Sequence, residues 1–297
     1  MAGVIICRGI AIIKIELWAG FYKMQVLRTY TSTDRVVTIE KCDNGDKIVR
    51  KRFETDYDYV RELAAYKLIK TWNSQYFPVG LCDDVPYELS WKYCGRSLTS
   101  VAAADDFPRD KKRFIEFKTE KKIVGGILNG VLMLHRHSIA HCDLKSCNIV
   151  LDDKFNPRII DFGLAEIPAN HDISGPSPTS EIITAPENIN DSLFGILTNG
   201  NPYSLIYSDI WALGITLFTT IGYKDNYSAM MCGINMAPDS RYAIYCKLFG
   251  AMYKVPDYMS ISKYKPMMRG YLYDIISGCL SPYPSERPLI NELLDMI

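Results

Sequence analysis

Along the first ninety residues, apolar and polar positions alternate in short runs, whereas beyond them they recur mostly at helical spacing. Val36 to Ile39 and Asp46 to Phe53 read as strands, and Ile10 to Leu17, which alternates in part, predicts another. Tyr57 to Trp72 predicts a helix, with Val60, Leu63, Ala64 and Leu68 close to the spacing of one apolar face. Lys118 to His135 carries a fuller stripe, Ile123, Ile127, Val131 and Leu134, with Leu128 and Leu132 beside it. Ile210 to Ile221 is apolar nearly all round, the pattern of a buried helix. Between these helices, Ile149 to Leu151 and Arg158 to Ile160 read as short strands around the turn-forming Asp152, Asp153, Asn156 and Pro157. Pro168 to Ser180 and Asn188 to Ser208 read as irregular segments. A small β-rich part followed by a larger helical part predicts an α+β fold with a cleft between the two.

Charge adds little direction, because Lys plus Arg and Asp plus Glu both number 34, so no global field points to nucleic acid or an anionic membrane. The clusters Lys111-Lys-Arg113 and Lys121-Lys122 read as solvated helix faces, and no nucleic-acid partner is expected. The nine cysteines include no CxxC pair and read as reduced thiols, which predicts an intracellular protein, cytoplasmic or nuclear. Cys7, Cys94, Cys142 and Cys279 sit in apolar surroundings, as small hydrophobes do. Arg8, Lys14 and Glu16 interrupt the apolar first twenty residues. Neither a membrane span, which needs ~20 uninterrupted apolar residues, nor a secretory leader is expected.

The chemistry concentrates in His141-Cys-Asp-Leu-Lys-Ser-Cys-Asn148, directly after the long amphipathic helix, and in Asp161-Phe-Gly163, thirteen residues beyond Asn148. In order and separation the two segments resemble the catalytic and metal-binding loops of eukaryotic-type protein kinases. Phosphoryl transfer asks a protein to place an acceptor hydroxyl, neutralise phosphate charge and hold Mg²⁺. The resemblance implies Asp143 as the base for the substrate hydroxyl, Lys145 beside the γ-phosphate, and Asn148 and Asp161 as oxygen ligands to Mg²⁺. It also implies that Gly163 lets the backbone turn sharply behind the metal ligand. Ala185-Pro-Glu187, Ser208-Asp-Ile-Trp-Ala-Leu-Gly214 and Pro284-Ser-Glu-Arg-Pro288 follow in the family's order. They imply that Asp209 holds the backbone of the catalytic loop and that Arg287 pairs with Glu187.

Upstream, Ile48-Val-Arg-Lys51 resembles the third strand of the small lobe, making Lys51 the partner of the α- and β-phosphates, with Lys47 and Arg52 as nearby rivals. Glu62 stands on the following helix to hold Lys51. Leu89-Ser-Trp-Lys-Tyr-Cys-Gly95 resembles the fifth strand and hinge, which puts the backbone of Lys92, Tyr93 and Cys94 against adenine and Trp91 at the gatekeeper position. The phosphate loop is where the pattern departs: Leu27-Arg-Thr-Tyr-Thr-Ser-Thr-Asp-Arg-Val36 has no glycine, and Thr29 to Thr33 are the available substitutes. Cys142 replaces the arginine many of these kinases use to pair with a phosphorylated activation segment, so activity independent of phosphorylation at Ser177, Thr179 or Ser180 is expected.

The resemblance, running from about Leu27 to the C-terminus, implies one bilobal kinase domain over residues 1–297. Its N-lobe covers about 1–92, its hinge about 92–95 and its C-lobe about 96–297. Lys145, two residues after Asp143, resembles the serine/threonine branch, with ATP and Mg²⁺ as cofactors and proteins as substrates. Small-molecule phosphotransferases share the skeleton of His141, Asp143 and Asn148 but lack the later Ala-Pro-Glu and Asp-x-Trp-x-x-Gly marks. The glycine-free loop keeps open a pseudokinase that scaffolds partners. That loop and the long stretch from Glu187 to Asp209 resemble divergent kinases of large DNA viruses.

Overall fold

The computed structural model describes residues 6–7, 10–11, 16–19, 22–32, 34–103, 115–167, 185–188, 205–222, 265–281 and 283–297, with side chains from residue 24 onward except at residue 267. The chain divides into two compact units, Met1–Gly95 with Ile160–Gly163, and Arg96–Ile159 with Leu164–Ile297. Most of the segments read as irregular, together with Ser177, Thr179 and Ser180, lie outside the described residues.

The first unit is built on an antiparallel meander of β3 (Glu16–Ala19), β4 (Tyr22–Thr31), β5 (Arg35–Lys41), β6 (Lys47–Phe53) and β7 (Glu88–Lys92). A separate two-stranded pair, β1 (Ile6–Cys7) with β2 (Ile10–Ala11), precedes it. The ends of the predicted strand Ile10 to Leu17 fall in β2 and β3, and residues 12–15 lie outside the described residues. Between β5 and β6 the chain reverses at Gly45, whose φ of +88° a glycine adopts without a Cβ penalty. The Asn44 side-chain oxygen accepts the Asp46 amide hydrogen at 3.0 Å and closes the turn.

Helix α1 (Asp56–Thr71) lies in sequence between β6 and β7 and starts where Thr55 caps the Asp58 amide at 3.2 Å. Its buried face is Arg61, Glu62, Ala65, Tyr66 and Ile69, not the predicted Val60, Leu63, Ala64 and Leu68. Val60 is 55% and Leu68 40% exposed. The reversal has a physical cause: the helix turns Glu62 inward to meet a buried lysine, and that rotation carries Tyr66, one turn on, inward with it.

In the second unit, α3 (Phe117–Arg136) buries the predicted stripe Ile123, Ile127, Val131 and Leu134; of the two leucines beside it, Leu128 is buried and Leu132 half-buried. It lies against a small sheet ordered β10 (Pro157–Ile159), β9 (Ile149–Leu151), β8 (Arg96–Ser97), so closely that a Cβ on Gly126 would overlap Pro157. Short α2 (Leu98–Ala103) follows β8 directly. Helix α4 (Ile206–Leu217), buried throughout from Ser208 onward as its apolar sequence predicts, runs on into a wider turn over Phe218–Gly222. Helices α5 (Gly270–Cys279) and α6 (Ile290–Leu294) complete the described part. Among the described residues no helix is long and apolar enough to cross a membrane.

Candidate active site

The strand period decides which basic residue of β6 points inward. Lys51 and Phe53 are buried and Arg52 is exposed, the alternation expected of a strand with one face on the core. The opposite face carries a charge ladder in which Arg50 Nε meets Glu40 at 3.1 Å, Arg50 Nη1 meets Glu88, and Arg52 Nε meets Glu88 at 2.7 Å. Lys47, the other rival, lies over the Tyr93 ring at 5.6 Å. Lys51 Nζ contacts Glu62 Oε2 at 2.5 Å and Asp161 Oδ1 at 2.8 Å. Glu62 is fully buried and its Oε1 has no hydrogen-bond partner, so burial pushes its carboxyl up to about 7 against the pull of Lys51. For Lys51, burial works against the charge, but Asp161 and then Glu62 outweigh it and the ammonium is held above its ordinary pKa.

Asp161 reaches this cluster through a left-handed backbone, φ +67°, and its amide donates to the Tyr66 hydroxyl at 3.2 Å. Tyr66 also packs against two other rings of the unit, Trp91 at 5.3 Å and Phe162 at 5.1 Å between ring centres. Gly163 is needed for close approach rather than for a turn, since the positive φ belongs to Asp161. A Cβ on Gly163 would stand 3.2 Å from Glu62 Oε2 and 3.3 Å from Arg35 Nη1. At the predicted hinge the Lys92 and Tyr93 amides donate to the Val79 and Lys47 carbonyls at 3.1 and 2.9 Å, and the Cys94 thiol to the Lys92 carbonyl at 3.1 Å.

Residues 141–148 are held by contacts within the second unit. Asp209, at the start of α4, accepts the His141 amide at 2.7 Å and the Cys142 amide at 2.8 Å, and His135 Nε2 lies 3.0 Å from the same carboxylate. Thr216 of α4 donates to the Leu144 carbonyl at 3.1 Å. Between these anchors Cys142 holds a left-handed φ of +61°, a costly conformation for a side chain with a Cβ. Asp143 emerges nearly buried, with Oδ2 bonded to Asn148 Nδ2 at 2.9 Å and Lys145 Nζ at 2.7 Å. Its other oxygen, Oδ1, is buried without a hydrogen-bond partner. Asn148 Nδ2 also donates to the Asp143 carbonyl at 2.9 Å, which turns the amide oxygen away from Asp143. Farther along, Arg287 and Glu187 form a bidentate pair, both bonds 2.7 Å, with both side chains fully buried.

The described residues thus gather Lys51, Glu62 and Asp161 in the first unit and Asp143, Lys145 and Asn148 in the second. Two residues that sequence reasoning passed over stand in the first cluster, Tyr66 and Arg35, the latter with Nη1 3.5 Å from Asp161 Oδ1. Tyr66 was findable, because it lies four residues after Glu62 and so on the same helix face. Arg35 had no such signal. Its placement depends on strand register.

The protein kinase domain family model matches residues 33–296. The chain is 26% identical over 256 residues, 84% of its length, to the SNF1-like protein kinase ssp2 of Schizosaccharomyces pombe. To the carbon catabolite-derepressing protein kinase of Candida tropicalis it is 32% identical over 226 residues, 75% of its length. A 60-residue stretch, 19% of the chain, is 50% identical to the G-type lectin S-receptor-like serine/threonine-protein kinase SD1-13 of Arabidopsis thaliana. These stretches span only 38%, 30% and 7% of the respective relatives. The family match takes in residues of both units, from the β4–β5 turn to beyond α6, and the chain therefore belongs to the protein kinase family.

Proposed function

We propose that the protein is an active serine/threonine kinase in which Asp143 accepts the proton of a substrate hydroxyl as phosphate is transferred from Mg-ATP. The observation that carries this reading is the unpartnered Asp143 Oδ1. An unpaired buried carboxylate oxygen costs roughly 1–3 kcal/mol or more, and here it stands on a loop fixed by Asp209, Asn148 and Thr216. A donor hydroxyl arriving at that oxygen would complete its hydrogen bonding and place its proton within transfer distance. Lys145 neutralises charge beside Asp143 and extends to solvent, consistent with a phosphate contact.

Magnesium, when bound, supplies neutralisation of the phosphate charge and a fixed template for the transfer. Asn148 and Asp161 each offer a hard oxygen: the Asn148 amide is oriented by its two bonds to Asp143, and the Asp161 carboxylate by Lys51. Lys51, held by Glu62, meets the α- and β-phosphates, and Lys92, Tyr93 and Cys94 supply the adenine contact. In this reading the whole chain is one kinase domain with its hinge at about 92–95. Serine/threonine choice draws on Lys145 and on relatives whose printed names carry that specificity.

Incubation with Mg-ATP and a generic basic protein tests the proposal, with Asp143→Asn as the reference. Transfer to serine or threonine by the wild type, abolished in the variant, is expected. Transfer equal in both, or confined to tyrosine, overturns it. The glycine-free hairpin favours the second reading, a scaffold without turnover, and absence of transfer in the wild type across several substrates would establish that instead.

A further inference from the structure

The β4–β5 hairpin, which the family pattern fills with glycine, brings a side chain to the Lys51 cluster. In the β5–β6 register Val37 stands opposite Lys51 and Arg35 opposite Phe53, so Arg35 and Lys51 occupy the same sheet face. The threonines do not share it. Thr29 pairs with Thr38, itself opposite Arg50, and Thr31 pairs with Val36, which sets both on the face of the Arg50–Glu40–Glu88 ladder. Their hydroxyls, considered as substitutes for the missing glycines, point away from Lys51, and Thr33 lies outside the described residues.

Arg35 meets the same carboxylate oxygen as Lys51. Its Nη1 lies 3.5 Å from Asp161 Oδ1, the same oxygen that Lys51 meets at 2.8 Å, and 3.3 Å from the position a Cβ would take on Gly163. The Lys51 side chain is 3% exposed and that of Arg35 31%, so one cation is enclosed and the other reachable from solvent. A contact of 3.5 Å is long for a charge-assisted hydrogen bond. A phosphate offers the guanidinium several oxygens and more charge than that one carboxylate oxygen does. The guanidinium fork presents parallel N–H donors that match phosphate oxygens, whereas an ammonium acts as a point charge.

We propose that Arg35 is a phosphate-binding residue, supplying to the polyphosphate tail of a nucleoside triphosphate the positive charge and donors that a glycine-rich hairpin provides with backbone amides. This rests on the nucleotide-binding reading above and deepens it. The role is recognition of phosphate, not of base, and no bond is made or broken in it.

Calorimetric titration of the full chain in EDTA, with ATP, ADP and adenosine, tests it on wild type, Arg35→Gln, Arg35→Lys and Lys51→Met, each checked for an unchanged melting temperature. Arg35→Gln is expected to weaken ATP by roughly 10- to 100-fold, the loss of one or two charge-assisted hydrogen bonds, while changing adenosine by less than about twofold. Arg35→Lys, which keeps the charge without the fork and is the gentler change to the fold, should fall between. Unchanged ATP affinity in Arg35→Gln, with Lys51→Met weakened, overturns the role of Arg35 and leaves the nucleotide reading standing. Equal losses for ATP and adenosine also overturn it. A wild type that binds no ATP overturns both.

Discussion

Asn148 gives its side-chain amide to Asp143 twice, at 2.9 Å to the backbone carbonyl and at 2.9 Å to Oδ2. The carboxylate is thereby fixed with Oδ2 engaged and Oδ1 buried without a hydrogen-bond partner, the oxygen to which the proposed function brings the substrate hydroxyl. Asn148→Ala should therefore lower transfer to a basic protein substrate on the order of 100-fold, the scale of losing one preorganised polar group. Urea unfolding should show a loss of about 1–3 kcal/mol, because Asp143 keeps Lys145 but loses its buried donor. Unchanged turnover in Asn148→Ala would contradict the arrangement.

Arg287 and Glu187 are joined by two bonds of 2.7 Å in a site with no solvent access, and Arg287 also donates to the Ser281 and Tyr207 carbonyls at 2.9 Å. Removing either side chain leaves the other as a buried, uncompensated charge. Arg287→Ala should cost about 3–5 kcal/mol in denaturant unfolding, and Glu187→Ala a comparable amount. The double variant should be more stable than the sum of the single losses predicts, because the two share one interaction. Additive losses would show that the pair acts through its separate contacts.

Glu62 carries a pH dependence whose sign follows from its burial. Its carboxyl is pushed up from 4.5 to about 7, since burial outweighs the attraction of Lys51. A folded pKa above the unfolded one means stability that is fully present below about 4.5 and lost as pH rises through 7. Lys51, held above its ordinary 10.5, stays charged across that window. The melting temperature of the wild type should fall more steeply between pH 5 and pH 8 than that of Glu62→Gln, whatever the offset between the two curves. Parallel curves would place the carboxyl outside this range.

How far the sequence carried depended on whether a feature is local or needs register. The stripe Ile123, Ile127, Val131 and Leu134 and the all-round apolar Ile210 to Ile221 predicted α3 and α4, because each helix buries what its own spacing displays. Asp209 and the Arg287–Glu187 pair were legible through the family pattern, since their partners are backbone amides and one opposite charge. Helix α1 misled, because its buried face is set by Glu62 and Tyr66 rather than by Val60 and Leu68. In a helix with two competing faces, tertiary contact chooses. Arg35 and the outward Thr29 and Thr31 could not be read without knowing which β5 residue faces Lys51, and a shift of one residue would have exchanged them.

Gly214 sets the distance between α4 and α5. A Cβ there would stand 2.6 Å from Cys279 Cβ and 2.9 Å from Leu280 Cδ2, and both neighbours are buried. Leu280 can swing its terminal methyl, but Cys279 Cβ is fixed to its backbone, so an added methyl forces the helices apart. Gly214→Ala should destabilise by about 1–3 kcal/mol, the usual cost of overpacking, despite the better helix propensity of alanine. Combining it with Cys279→Gly removes the obstructing Cβ and should recover more than additivity allows, whereas Cys279→Ala, which keeps that Cβ, should recover little. Equal recovery by both would trace the strain to the thiol and not to the helix spacing.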